Sequence, residues 1–308
     1  LGLNNSDQIN IICQNQQMMT KIRNCPACDT DDARFVSDKG SFSIYVCKKC
    51  RTLYTDRLPN IDEEENYDEY YNETNLAVPS FIAKRLDQII RRFDPYKLNG
   101  RLLDIGFGAG SILESGKKLG WAVSGQEVSK PAVENAIKKG FDVFWGELTD
   151  AHFPYGHFDV VTCSEILEHV PTPIEMLSEI HRILRPGGLF WATTPSATGI
   201  SFRLLKQSWS VLSPPEHTQL YSHTAMRKLL EKAGFRSATI LTEGVNPYEI
   251  INKRIKSSKA APIDRVRSGY ALNESLSEGG FRILIKNSAN SILNATRLGD
   301  SLKIFATK

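Results

Sequence analysis

From Arg101 the chain alternates short apolar runs with stretches of helical periodicity: RLLDIG, ILESGKKLG, WAVSGQEV, PAVENAIKKG, FDVFWG, FDVVTCS, LSEIHRIL and GLFWATT. Few folds accept that rhythm. Strands returned by intervening helices run parallel, and a parallel sheet needs helices on both faces, so the expectation is a doubly wound, Rossmann-like α/β sheet. In such sheets a ligand sits beyond the carboxyl ends of the strands where the strand order reverses. The loops after the first, second and fourth strands of this segment are therefore the places to look for chemistry.

The first of these loops is LLDIGFGAGS, where Gly106, Gly108 and Gly110 follow a buried run directly and precede a helix. Glycines there let the backbone turn tightly and approach a ligand without a Cβ in the way. Asp104 lies two residues ahead, and Ser111 stands where a G-x-G-x-x-G dinucleotide fingerprint has its third glycine, a departure that argues against NAD or FAD. The second strand ends in Glu127, about 20 residues past the glycines, where a carboxylate can accept hydrogen bonds from both hydroxyls of a ribose. Glu147, after FDVFWG, sits where an acid meets an adenine amino group; a solvated surface Glu is the alternative.

Ahead of this segment four cysteines, Cys25, Cys28, Cys47 and Cys50, form two CxxC pairs separated by 18 residues. That spacing brings four thiolates to the corners of a tetrahedron around one zinc and leaves no place for water, so a structural site over residues 21–58 is expected, with a metal-free relic as the alternative. Cys163 reads as a small hydrophobe at a strand end. Residues 1–20 read as a polar leader, and 59–98 as a linker whose Tyr67, Tyr70 and Tyr71 lie among acids. It ends in an amphipathic helix carrying Phe81, Ile82, Leu86, Ile89, Ile90 and Phe93, stopped by Asp94-Pro95. Across 308 residues Lys plus Arg number 38 against 35 Asp plus Glu, too small and too scattered an excess to predict a phosphate-tracking surface. No apolar run reaches the ~20 residues of a membrane span and no secretory signal opens the sequence, so a cytoplasmic protein is expected.

Taken together, LLDIGFGAG, the strand-end Glu127, FDVVTCSEILEHV, LRPGGLFWATTP and PPEHTQLYSHTAMRKLLEKAGF resemble class I S-adenosylmethionine-dependent methyltransferases, in particular the group typified by the ubiquinone-biosynthesis O-methyltransferases. The likeness covers about residues 99–243 plus the final strand SLKIFATK. It implies a seven-stranded sheet over 99–308 that binds S-adenosylmethionine. Gly106, Gly108 and Gly110 would shape the methionine pocket, Asp104 would order the loop and the cofactor ammonium, Glu127 would hold the ribose, Glu147 would border the adenine, and Ser164 would line the same crevice. A ribbon ahead of this domain resembles a bacterial architecture associated with sugar, polysaccharide or natural-product methylation, which implies a small-molecule acceptor.

In SEILEHV, Glu165, Glu168 and His169 fall at i, i+3 and i+4, which on a helix places two carboxylates and an imidazole on one face. A similar helix with a later His resembles the metal site of small-RNA 2′-O-methyltransferases, and His217 in PPEH is the matching later residue here. That likeness implies a divalent cation, Mg²⁺ or another, lowering the pKa of a substrate hydroxyl. Two alternatives stand beside it: the stretch merely closes the cofactor pocket, or His217 alone is a general base reaching a bound hydroxyl. Trp209 and Tyr221 are then pocket walls or core. Residues 244–299 exceed a hairpin connection and are expected to form a helical cap that sets acceptor choice. Two further readings are an RNA methyltransferase that uses the ribbon for RNA contact, and a non-catalytic scaffold that binds S-adenosylmethionine. Against the first, Lys39, Lys48, Lys49 and Arg51 are offset by Asp29, Asp31, Asp32 and Asp38, and no N/D-P-P-Y motif is present.

Overall fold

A computed structural model describes residues 22–60, 63, 80–247, 249–251 and 280–308. The expected leader 1–20, the tyrosines of the linker and the middle of the expected cap lie outside the described residues. No described helix is long and apolar enough to cross a membrane.

The cysteine-bearing segment folds as three antiparallel strands, β1 (Ala33–Lys39), β2 (Phe42–Cys47) and β3 (Leu53–Thr55). Alternate residues of β2, Phe42, Ile44 and Val46, point inward, as period-2 patterning requires of a sheet with one covered face. Eight strands follow: β4 (Arg101–Ile105), β5 (Ala122–Glu127), β6 (Asp142–Trp145), β7 (Phe158–Ser164), β8 (Leu184–Pro195), β9 (Gln219–Leu220), β10 (Ser237–Glu243) and β11 (Ser301–Thr307).

Seven of these build the main sheet in the order β10-β11-β8-β7-β4-β5-β6. β4 to β8 pair in parallel, while β11 is antiparallel to both β8 and β10. β4 and β7 sit at the centre and carry unbroken buried runs, Leu102 to Ile105 and Phe158 to Cys163, because helices cover both faces there. The chain leaves β4 towards β5 and β6, then returns to place β7 on the other side of β4, so the order reverses between β4 and β7. The site is expected beyond that point. Asp159 fixes the entry to β4: its Oδ2 accepts the backbone N–H of Leu98, Asn99 and Gly100 at 3.0, 2.7 and 2.6 Å, and its Oδ1 accepts Arg185 Nε at 2.6 Å.

The predicted flanking helix spans Ser80–Arg91, and Ile90 and Phe93 pack with Leu102, Trp121 and Trp191. Of the expected cap, the described helix Gly280–Thr296 lies along β10, where Asn294 Oδ1 accepts Thr242 N–H at 3.0 Å and Asn290 Oδ1 accepts Gly244 N–H at 3.2 Å. It thus covers a sheet edge that would otherwise offer unpaired backbone groups.

The ribbon does not close on itself. β9, from the far end of the chain, is the fourth strand of its sheet, with Leu53 opposite Leu220 and Tyr54 opposite Gln219. Ile44, Val46 and Leu53 share one apolar cluster with Ala197, Leu205, Trp209, Leu212 and Leu220, while Cys25, Cys47, Cys50 and Tyr54 belong to the same core as Leu167, Tyr221 and Met226. Trp209 and Tyr221 are therefore core residues, 2% and 0% exposed.

Candidate active site

At the end of β4 the three glycines take backbone conformations that side chains resist: φ is 63° at Gly106, 50° at Gly108 and 81° at Gly110. A Cβ on Gly106 would stand 2.3 Å from Ile166 Cδ1. The loop is tied down by Gly106 N–H on Gln126 O (2.8 Å), Gly110 N–H on Phe107 O (2.8 Å) and Gly108 N–H on Glu127 Oε2 (2.9 Å). Glu127 Oε1 accepts Val128 and Ser129 N–H at 2.8 and 3.1 Å. A carboxylate accepts about four hydrogen bonds, so the oxygen facing Gly108 keeps capacity for a ligand hydroxyl. The side chain expected to meet the ribose also sets the glycine loop.

Asp104 is 2% exposed. Burial pushes its carboxyl up to about 7; the Thr162 hydroxyl, donating to Oδ1 at 2.7 Å, pulls the other way, and Glu127 adds repulsion. A buried carboxyl so placed gains by receiving a cation. Ser164 closes β7 with its hydroxyl 2.8 Å from that of Thr193, and Glu147 stands exposed at the start of the loop after β6. The positive-φ cradle and the carboxylates at the ends of β4 and β5 fit the amino-acid and nucleoside parts of S-adenosylmethionine.

On the other side of the β4–β7 reversal the expected helix is absent. Residues after Ser164 form a turn, because Glu165 adopts φ 56°, in the left-handed region, so the i, i+3, i+4 face is not built. The turn nonetheless gathers Glu168 and His169 against His217, with one ligand atom of each within 4.8 Å of the others; Glu165 is not in that group. Glu168 is fully buried, and burial, with the Glu165 carboxyl beside it, pushes it well above the ordinary range. Its Oε2 accepts the Thr194 hydroxyl at 2.9 Å, while Oε1 has no hydrogen-bond partner among the described residues.

The two imidazoles meet edge to face, with ring centres 4.7 Å apart. His217 Nδ1 donates to Val211 O at 2.6 Å, since a carbonyl can only accept, which leaves Nε2 as the basic nitrogen. His169 hydrogen-bonds the backbone of Glu216. Burial lowers both rings, His169 to about 4, so both are neutral at neutral pH.

The four ribbon cysteines are free thiols whose sulfurs lie mutually within 4.8 Å. Cys25 Sγ is 3.5 Å from Cys50 Sγ, and Cys28 Sγ is 3.6 Å from Cys47 Sγ. Disulfide sulfurs lie ~2 Å apart, whereas the edge of a tetrahedron with ~2.3 Å Zn–S bonds is about 3.8 Å. The donor set therefore fits zinc.

Several supporting residues escape a sequence reading: Thr162 under Asp104, Thr194 on Glu168, and Arg23, Gln219 and Ser222 between ribbon and turn. Their signal is faint, a polar residue inside an otherwise apolar buried strand or the polar alternation of HTQLYS.

Comparison with known proteins agrees with this fold. Residues 78–239 match the family described as Methyltransferase domain, a span that begins after the cysteines. A ubiquinone biosynthesis O-methyltransferase of Burkholderia vietnamiensis is 32% identical over 178 residues, which is 53% of this chain and 75% of that protein. A protein of the same name from Xanthomonas oryzae pv. oryzae is 34% identical over 128 residues, covering 39% of this chain and 52% of its own length. Among solved structures, a SAM dependent methyltransferase from Archaeoglobus fulgidus shares the fold at TM-score 0.50 and 19% identity, covering 79% of this chain and all of that one.

Proposed function

We propose, since the chain belongs to the Methyltransferase domain family and is an S-adenosylmethionine-dependent methyltransferase, that it methylates a hydroxyl of a small molecule, of sugar or phenolic type. The observation that carries the acceptor chemistry is the half-buried, edge-to-face His169–His217 pair, with His217 Nδ1 committed to Val211 O. The curated relatives, named as O-methyltransferases of ubiquinone biosynthesis, support oxygen as the methylated atom.

S-adenosylmethionine supplies a methyl group already activated on a sulfonium. The chain's own work is then to bind, align and deprotonate. Gly106, Gly108 and Gly110 would let the backbone lie against the amino-acid part, Asp104 would pair with its ammonium, and Glu127 would receive the ribose hydroxyls. Ser164 and Glu147 border the crevice. His217 Nε2 would take the acceptor's proton as its oxygen bonds the methyl carbon and the sulfur–methyl bond breaks, releasing S-adenosylhomocysteine, and the edge-to-face contact with His169 would hold the His217 ring. Cys25, Cys28, Cys47 and Cys50 would hold a structural zinc.

A second reading is favoured by the convergence of one ligand atom each from Glu168, His169 and His217 within 4.8 Å: a cation held by the three would orient and acidify the acceptor hydroxyl. Two imidazoles and one carboxylate suit a borderline transition ion such as Zn²⁺ or Mn²⁺ better than Mg²⁺, which prefers oxygen ligands and keeps its water. Product mass after incubation with labelled S-adenosylmethionine and hydroxylated sugars or phenols tests the proposal. Label appearing only on nitrogen or carbon of an acceptor contradicts it.

A further inference from the structure

We propose that the cysteine-bearing module is a mechanical part of the active site, with Arg23 the positioning residue through which it fixes the strand that carries His217. This rests on the reading of Glu168, His169 and His217 as the acceptor-activating group.

The segment 217–222, which contains β9, is held from both sides. On the active-site side it donates to three carbonyls of the 167–170 turn. Tyr221 Oη donates to Leu167 O at 3.1 Å, the N–H groups of Thr218 and Gln219 donate to Glu168 O at 3.2 and 3.3 Å, and the Gln219 amide donates to Val170 O. The turn bearing Glu168 and His169 thus has no position independent of that strand.

On the ribbon side one carbonyl, Thr218 O, next in sequence to His217, is the anchor. It receives Arg23 Nη2 at 2.6 Å and Thr55 N–H at 3.1 Å. The Arg23 guanidinium also holds Thr55 O through Nε at 2.8 Å and Thr55 Oγ1 through Nη2 at 3.1 Å. One planar fork therefore ties a ribbon strand to the His217 strand, a geometry an ammonium cannot reproduce. Arg23 lies two residues before Cys25, and Ser222 Oγ donates to Cys50 O at 2.5 Å, so both ends of the tie are set by metal-ligand cysteines. A ribbon serving only as an appended module would not share β9, a core and the Arg23 fork with the segment that holds the 167–170 turn.

The test uses the full chain, with carbon-13 at the imidazole Cε1 of its six histidines. Arg23→Met is compared with wild type, alongside zinc content and S-adenosylhomocysteine affinity by calorimetry. The expected result is displaced His169 and His217 resonances, unmoved His157 and His181 resonances, unchanged zinc, and an affinity within about twofold of wild type. Arg23→Lys, which keeps the charge and loses the fork, displaces the same two resonances less. Unmoved His169 and His217 overturn the proposal. So do displacement of all histidines alike and loss of S-adenosylhomocysteine binding in both variants, since either makes the ribbon a general stability element. The readout is resonance position rather than turnover, so failure of the acceptor-activation reading leaves this result standing on its own.

Discussion

Replacing Glu127 by Gln separates two duties that one carboxylate performs. In the structure Oε2 holds Gly108 N–H at 2.9 Å and Oε1 holds the N–H groups of Val128 and Ser129, all at a residue 5% exposed. An amide offers one accepting oxygen, and turning it to keep the Val128 and Ser129 pair sets an NH2 group against Gly108 N–H. One orphaned buried donor costs about 1–3 kcal/mol of stability, read as a lower thermal midpoint. The cofactor loses more, because the atom sacrificed is the one with capacity for a ribose hydroxyl. A hydrogen bond to a charged group contributes about 1.5–3 kcal/mol, so the dissociation constant for S-adenosylhomocysteine rises about 10- to 150-fold. Glu127→Ala, which removes both oxygens, weakens binding at least as much. Calorimetric titration of folded variants is the assay. A Gln variant that stays folded and binds within about twofold of wild type would refute the assignment.

Asp104 predicts a pH dependence. Its carboxyl, raised by burial to about 7, is protonated at mildly acid pH and cannot pair with an ammonium, so S-adenosylhomocysteine affinity climbs from about pH 5 to about pH 7 and then levels. Proton release on binding, measured in buffers of different ionisation enthalpy, follows the same window, and Asp104→Asn removes it; flat affinity contradicts the pairing. Because that pKa is raised on folding, the cofactor-free chain loses stability as pH rises through the same window. Gly106→Ala forces a Cβ into the space of Ile166 and a left-handed φ, costing about 1–3 kcal/mol by chemical denaturation; an unchanged midpoint contradicts the cradle geometry. Cys25→Ser loses zinc by elemental analysis while S-adenosylhomocysteine still binds, and stoichiometric zinc in that variant would remove Cys25 from the ligand set. His217→Ala tests the cation reading: two bound metals per wild-type chain falling to one support it, and one metal in both leaves His217 as the base.

The sheet was legible because its signal is local. The buried runs of β4 and β7 and the glycines after β4 need nothing beyond their own sequence to declare themselves. Glu127 was legible for the same reason, as a carboxylate at a strand end a fixed distance past a glycine loop. The SEILEHV stretch shows the limit. Its i, i+3, i+4 spacing is helical, yet Glu165 at φ 56° breaks the helix, and the residues that meet do so because His217, 48 positions after His169, is delivered by β9. No periodicity announces a two-residue strand such as Gln219–Leu220, and nothing near Arg23 in sequence reveals a carbonyl at Thr218. Long-range pairings made by backbone groups leave no trace in side-chain pattern, so the ribbon's union with the active site became visible only in three dimensions.

The central claim is that the crevice at the ends of β4 and β5 holds S-adenosylmethionine, with the methyl group turned towards His217. A crystal structure of the full chain grown with S-adenosylhomocysteine measures this directly. The account predicts ribose hydroxyls within hydrogen-bond distance of the Glu127 carboxylate and the amino-acid part over Gly106 to Gly110. A nucleoside seated elsewhere, with Glu127 still bonded only to its three backbone amides, would contradict it.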